Sequence, residues 1–241
     1  MRTFGLIGEK LGHSFSKNFF TQYFTANDID AEYLNFELGN ITELTGLFTQ
    51  DLSGLNVTIP FKESVIAYLD EVSDEAAQIG AVNCISFREG KVIGYNTDAY
   101  GFHNSIKPFL TNKHERALIF GTGGASKAVA YVLRSIGVEV FFISRSPNGP
   151  RSFGYEDINE QMMNSCKLVV NCTPIGMYPD VNSSLPVLAQ AISEEHLFVD
   201  LVYNPELTKT MEIFLERGAT AINGEAMLKL QAMRSWQIWN S

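Results

Sequence analysis

The 241-residue chain has only three cysteines, four histidines and 18 Lys and Arg against 27 Asp and Glu, and it contains no long apolar run. Each shortage excludes something. Cys84, Cys166 and Cys172 are too few and too irregularly spaced for a disulfide framework or a Cys-x-x-Cys metal clip, which points to a reducing compartment. His13, His103, His114 and His196 stand apart from any cysteine or carboxylate at ligand spacing, so no metal site is expected. A formal charge of −9 with scattered cations repels phosphate backbones and argues against a nucleic-acid partner. The opening segment reaches Glu9 before a signal-peptide core can form, and no stretch approaches the ~20 apolar residues of a membrane span, so a cytoplasmic location with no membrane partner is expected. What is present is ordinary globular composition: 45% hydrophobic residues, mean hydropathy −0.01, and enough chain for one large or two medium domains.

Short β-rich runs alternate with amphipathic stretches, the pattern of an α/β protein with mostly parallel strands. Strands are predicted over 4–8, 31–37, 55–58, 117–120, 138–144, 168–172 and 198–202. Helices are predicted over 16–24, 41–48, 63–69, 126–136, 207–217 and 225–239, where apolar residues recur at spacings of three and four. Residues 82–88 and 91–96 flank Glu89-Gly90 and read as a hairpin with a tight turn. A polar run over 108–115 marks the best boundary, giving expected domains at 1–110 and 111–223 and a final helical segment at 224–241. Residues 1–110 carry 14 acids and 7 bases, whereas 111–241 carry 13 acids and 11 bases, so the second part is nearly neutral.

The strand at 117–120 runs into Gly121-Thr122-Gly123-Gly124-Ala125-Ser126 and then into a helix. Glycines there let the backbone turn sharply and approach a pyrophosphate, and the free N–H groups at the helix start point at the anion. A tight turn with no ligand is the plainer alternative. The third glycine of the usual fingerprint is Ser126, which predicts slightly looser packing of helix on strand. After the next strand comes Ser144-Arg145-Ser146, with no acid to accept ribose hydroxyls; a cation and hydroxyls favour a 2′-phosphate, hence NADP over NAD, unless Arg145 is a solvated loop cation.

In the first half, four polar clusters stand out: Gly12-His13-Ser14-Phe15-Ser16, Asn56-Val57-Thr58-Ile59-Pro60-Phe61-Lys62, Gly80-Ala81-Val82-Asn83 and Gly94-Tyr95-Asn96-Thr97-Asp98. Ser14 or Ser16 would serve as a helix cap, and so would Asp98. Lys62 is less easily dismissed, because a lysine at a helix start opposes the macrodipole. Lys62 and Asp98 together suggest proton transfer.

These clusters, with the glycine turn, Asn171-Cys172-Thr173-Pro174-Ile175-Gly176-Met177 and Asp200-Leu201-Val202-Tyr203-Asn204-Pro205, occur in the order in which they occur in the shikimate dehydrogenase family, and the whole chain resembles it. The resemblance implies an oxidoreductase acting on CH–OH that interconverts 3-dehydroshikimate and shikimate with NADP in aromatic amino-acid biosynthesis. It implies a substrate domain with a mixed, mostly parallel sheet, a doubly wound Rossmann-like NADP domain, and a last helix returning to the substrate domain. It implies that Ser14 and Ser16 hold the substrate carboxylate, that Thr58, Asn83, Tyr203 and Gln231 join them, and that Lys62 is the acid/base oriented by Asp98. For the cofactor it implies Gly121, Thr122, Gly123, Gly124, Ala125, Ser144, Arg145, Ser146, Thr173, Leu201 and Gly224, with Asn171 and Met177 on the cofactor floor. One departure concerns the phosphate clamp: a second arginine is missing at its usual place after Arg145, leaving Arg151 as the further candidate. Two other readings remain open at this point, an NAD-linked quinate/shikimate dehydrogenase and a small-molecule-binding homologue without turnover. A small-molecule partner and a monomer or homodimer are expected.

Overall fold

The computed structural model describes residues 1–12 and 14–241; His13, part of the first polar cluster, lies outside the described residues. The chain divides into two compact units, 1–100 with 229–241, and 101–228. The first division falls inside a helix, ahead of the polar run at 108–115, because backbone packing rather than surface polarity decides where a unit ends.

The first unit contains β1 (Arg2–Gly8), α1 (Phe15–Ala26), β2 (Ala31–Glu37), α2 (Leu44–Leu47), β3 (Gly54–Val57), β4 (Glu71–Val72), α3 (Asp74–Ile79), β5 (Cys84–Arg88) and β6 (Lys91–Tyr95). Its sheet order is β2-β1-β3-β5-β6-β4. β1 pairs in parallel with β2 and β3, and β5 runs antiparallel to β3 and β6. Glu89 and Gly90, with φ of 50° and 74°, make the tight turn of the β5–β6 hairpin. Two expected helices are shorter than their patterns suggest. The 63–69 segment is a 3₁₀ turn, Ser64–Tyr68, and 41–48 divides into a 3₁₀ turn, Ile41–Glu43, and the single turn α2; Leu44, Leu47 and Val65 are buried in the core, but segments this short do not propagate a regular α-helix.

α4 (Asp98–Ile106) leads into the second unit, which contains β7 (Arg116–Phe120), α5 (Gly124–Ser135), β8 (Glu139–Ile143), β9 (Ser152–Phe153), α6 (Glu160–Ser165), β10 (Leu168–Asn171), β11 (Leu197–Asp200), α7 (Lys209–Leu215) and β12 (Thr220–Ile222). The order β12-β11-β10-β7-β8-β9 is parallel throughout, the doubly wound arrangement expected from the alternating pattern. Leu118, Ile119 and Phe120 are wholly buried, as central strands covered on both faces must be. Strand order reverses at β7, which lies between β10 and β8. Phe120 is level with Asn171 and Ile143, so the carboxyl ends of these three strands form one rim.

The last helix, α8 (Glu225–Trp239), contributes from Lys229 onward to the first unit, as the resemblance implied. Its Trp239 indole donates to the Ile85 carbonyl at 2.9 Å and packs with Phe4, Phe20 and Tyr33. Gly54 makes room for that ring: a Cβ there would lie 2.3 Å from the indole. The two tryptophans of this helix therefore belong to a core of aromatic residues.

His196 and Asp200, two of the buried ionisable groups in the second unit, contribute to its response to pH and substitution. His196 is 1% exposed; Nδ1 accepts from the Ser193 N–H at 3.0 Å and Nε2 donates to the Met163 carbonyl at 3.0 Å, which suits a neutral ring. Burial holds its pKa below the ordinary 6.5. Between the lowered folded value and 6.5 the unfolded chain binds the extra proton, so stability should fall as pH drops below about 6.5. Melting temperature measured against pH should show this decline, and His196→Asn should lessen it, His114, whose burial also lowers its pKa, supplying a further part. Asp200, fully buried, accepts from Asn171 Nδ2 at 2.9 Å, Thr208 Oγ1 at 2.7 Å and the Val202 N–H at 3.0 Å. Asp200→Ala would strand these donors and should cost about 2–4 kcal/mol in urea unfolding.

Candidate active site

The first-unit site is set by strand ends. β3 ends at Val57, level with Ile7 of β1, which places Thr58 beside Gly8; the Thr58 N–H donates to the Ile7 carbonyl at 2.8 Å. Asn83 precedes β5, its carbonyl accepting from the Val57 N–H at 2.9 Å, and Asp98 follows β6. Lys62 occupies the turn after Pro60, its carbonyl fixed by the Val82 N–H at 2.7 Å. It precedes a 3₁₀ turn rather than an α-helix, so the opposing dipole inferred from sequence is slight.

Lys62 Nζ lies 2.6 Å from Asp98 Oδ2, with side-chain exposures of 15% and 7%. The other carboxylate oxygen accepts from Asn83 Nδ2 at 2.8 Å. Asp98 is not the helix cap. The α4 N-terminus is capped instead by Asn96, whose Oδ1 accepts from the Ala99 N–H at 3.2 Å, and this leaves the Asp98 carboxylate to Lys62 and Asn83. Gln231, 6% exposed on α8, directs its amide oxygen at the Thr97 hydroxyl at 3.3 Å and at Asn83 Nδ2 at 3.5 Å. Three residues from separate motifs, Lys62, Asn83 and Asp98, thus converge with Gln231, which the resemblance alone had placed here.

The others stand differently. Ser14 caps α1, accepting from the Lys17 N–H at 3.1 Å, which is the plainer role foreseen for it. Ser16 is buried in the first turn against the Tyr33 hydroxyl. Thr58 is half-buried at the same sheet edge as Asn83. Asn56, Thr97, Ser235 and Tyr33 extend the polar cluster inward. The first two sit inside quoted motifs; Ser235 had one signal, its i+4 spacing from Gln231 on the same helix face.

In the second unit, the rim at the β7 switch point holds the glycine turn. Gly121 has φ of +103°, and a Cβ there would meet Thr173 Cγ2 at 3.2 Å and the Cys172 carbonyl at 3.3 Å. Gly123 and Gly124 lead into α5, followed by Ala125 and the buried Ser126, whose hydroxyl donates to the Gly123 carbonyl at 2.6 Å. Gly121, Thr122, Gly123, Ser144, Arg145 and Thr173 line one cavity of about 320 Å³. Glycine backbone, hydroxyls and one guanidinium around a cavity at a strand-order reversal suit a phosphorylated dinucleotide. Ser146 donates its N–H to Ser144 Oγ at 3.2 Å, shaping this loop. Arg151 does not join Arg145: its guanidinium lies 3.2 Å from Glu139. Thr173 is positioned by Asn171, whose Oδ1 accepts both its N–H at 2.9 Å and its hydroxyl at 2.6 Å. The Leu201 N–H donates to the Asn171 carbonyl at 3.0 Å. Gly224 lies so close to Leu201 that a Cβ would sit 2.3 Å from its carbonyl oxygen. Tyr203 is half-buried, and burial raises its phenol above the ordinary value of 10.0, so the ring keeps its O–H as a donor.

No helix among the described residues is long and apolar enough to cross a membrane. A family model, described as the shikimate dehydrogenase substrate binding domain, matches residues 6–85. The chain is 37% identical over 259 residues to a shikimate dehydrogenase (NADP(+)) of Clostridium perfringens, covering 100% of this chain and 93% of that protein. It is 33% identical over 254 residues to one of Methanosphaera stadtmanae, covering 98% and 90%. Among solved structures, the shikimate 5-dehydrogenase of Thermus thermophilus in complex with NADP(H) and shikimate superposes with a TM-score of 0.87 at 31% identity, covering 99% of this chain and 93% of that one. Motif order, the converging Lys62, Asn83, Asp98 and Gln231, the glycine-lined rim and full-length relatives lead to one conclusion: the chain belongs to the shikimate dehydrogenase family.

Proposed function

We propose that this protein catalyses the reversible NADPH-linked reduction of 3-dehydroshikimate to shikimate, a step of aromatic amino-acid biosynthesis. The observation that carries the reading is the buried Lys62–Asp98 pair at 2.6 Å, held from its far side by Asn83. Stability alone does not call for such a pair, since two desolvated charges barely repay their burial. A proton-transfer site does. NADP, when bound, gives or takes the hydride at the reacting carbon.

In the oxidative direction Lys62 as the amine takes the hydroxyl proton while the carbon–hydrogen bond gives up its hydride, leaving a carbonyl. In the reductive direction the Lys62 ammonium returns that proton to the carbonyl oxygen. Asp98 orients Lys62 and stabilises its ammonium. Ser14 and Ser16 bind the substrate carboxylate; Thr58, Asn83, Asp98, Tyr203 and Gln231 bind ring substituents.

Gly121, Thr122, Gly123, Gly124 and Ala125 hold the pyrophosphate, and Ser144, Arg145 and Ser146 take the 2′-phosphate. Thr173, Leu201 and Gly224 border the nicotinamide. With Arg151 engaged by Glu139, the arginine lining the glycine-turn cavity is Arg145. We place the enzyme in the cytoplasm, as a monomer or homodimer acting on a small-molecule substrate.

Lys62→Ala should lower kcat by about 10²–10⁴-fold while shikimate affinity changes little, checked by initial rates of nicotinamide reduction and by equilibrium binding. A kcat equal to the parent's would remove Lys62 from the chemistry. Arg145→Ala should raise KM for NADP by about 10–100-fold, the loss expected of a charge-assisted hydrogen bond, and leave KM for NAD nearly unchanged. Equal effects on both cofactors would count against a 2′-phosphate contact.

A further inference from the structure

One buried amide joins the backbone that holds Lys62 to the helix that carries Asp98. Asn96 is 4% exposed, and the orientation of its amide is forced: the Ala81 carbonyl only accepts, so the atom facing it at 2.8 Å is Nδ2, and the Ala99 N–H only donates, so the atom facing it at 3.2 Å is Oδ1. The residues next to Ala81 continue the connection on the other side. The Val82 N–H donates to the Lys62 carbonyl at 2.7 Å, and the Asn83 N–H donates to the Tyr95 carbonyl at 3.0 Å, with Ala81 and Val82 wholly buried. Asn96 thus ties the 81–83 segment, and through it Lys62, to the first turn of α4; the contact of Lys62 Nζ with Asp98 Oδ2 at 2.6 Å closes the ring. Both hydrogen bonds of Asn96 go to backbone, and neither reaches the Lys62 ammonium or the Asp98 carboxylate. Capping alone asks less of this position. A serine hydroxyl would accept from the Ala99 N–H as well, but it has no amide N–H to hold the Ala81 carbonyl at the same time.

We infer that Asn96 is a positioning residue for the proton-transfer pair: by clamping the Ala81 carbonyl to the start of α4 it sets where the Asp98 carboxylate stands relative to Lys62. The inference rests on the reading above that Lys62 moves the proton and Asp98 orients it. Proton transfer needs this clamp more than folding does, because a displacement of about 1 Å at a reacting group costs on the order of 10²-fold in rate.

Asn96→Ala, Asn96→Ser and Asp98→Asn in the full-length enzyme, read as kcat for shikimate oxidation, equilibrium binding of NADP and melting temperature, test it. Asn96→Ala should lower kcat by about 10–100-fold and leave the NADP dissociation constant within about twofold of the parent. Asn96→Ser, which keeps the cap and loses the clamp, should regain part of the melting temperature lost in Asn96→Ala and none of the kcat; if Asn96→Ala does not fold, Asn96→Ser is compared with the parent directly. Added to Asp98→Asn, Asn96→Ser should lower kcat by no more than about a further twofold, because it acts through that carboxylate. An Asn96→Ser enzyme with a kcat within about twofold of the parent, a kcat that returns together with the melting temperature, or a loss of the same size in the Asp98→Asn background would overturn the inference. An Asp98→Asn enzyme with the parent's kcat would instead remove Asp98 from the proton-transfer pair, and the inference with it.

Discussion

The contact between Lys62 Nζ and Asp98 Oδ2 imposes its needs on the first unit, because a carboxylate only 7% exposed is costly without partners for both oxygens. One oxygen has the ammonium and the other has the Asn83 amide. That amide must itself be held, and a backbone N–H, the hydroxyl of Thr97 and the neighbouring strand β3 do so. Each answer raises the same question one residue further in, through Asn56 to Ser235 and to Tyr33, which packs in an aromatic core. The network has to be satisfied throughout, since partly satisfied it would be worse than none.

The second unit meets a related constraint with different means. Its strand ends are tied by Asp200, which relies on three neutral donors; burial raises its pKa above the ordinary 3.8 despite them. Through Asn171 this carboxyl is linked to Thr173 and hence to the glycine-lined cavity. Glycine works here in two distinct ways: Gly121 adopts a φ that side chains resist, whereas Gly224 allows a close backbone approach to Leu201.

Much of this was readable from the chain. The β2 and α8 boundaries match their patterns, since a strand with flanking turns and a long helix are each defined by local periodicity. Strands of two or three residues were not readable. β4 exists because Glu71 and Val72 pair with Ile93 and Gly94, and β9 because Ser152 and Phe153 pair with β8; no window that short carries a period. α3 had signals that were passed over, Ser73 as cap and Gly80 at φ 72° as terminator. In the site, residues inside unusual polar motifs were found, whereas Tyr33 and Ser235 look like an ordinary strand aromatic and an ordinary helix serine.

By itself the sequence determined the alternation of strand and helix, the glycine turn with Arg145 after the next strand, and the set of polar motifs that mark the family, because each is encoded within a few consecutive residues. Tertiary structure decided which of those polar groups share a buried environment and which way their amides face. Asn56 and Ser235 are 179 positions apart, and their 2.9 Å contact depends on the sheet order and on α8 packing against β3 and β5. It also decided that Ser14 and Asn96, not Asp98, cap their helices, and that Arg151 pairs with Glu139. Hydrogen-bond direction and charge pairing depend on distance in space, which local spacing along a chain does not encode.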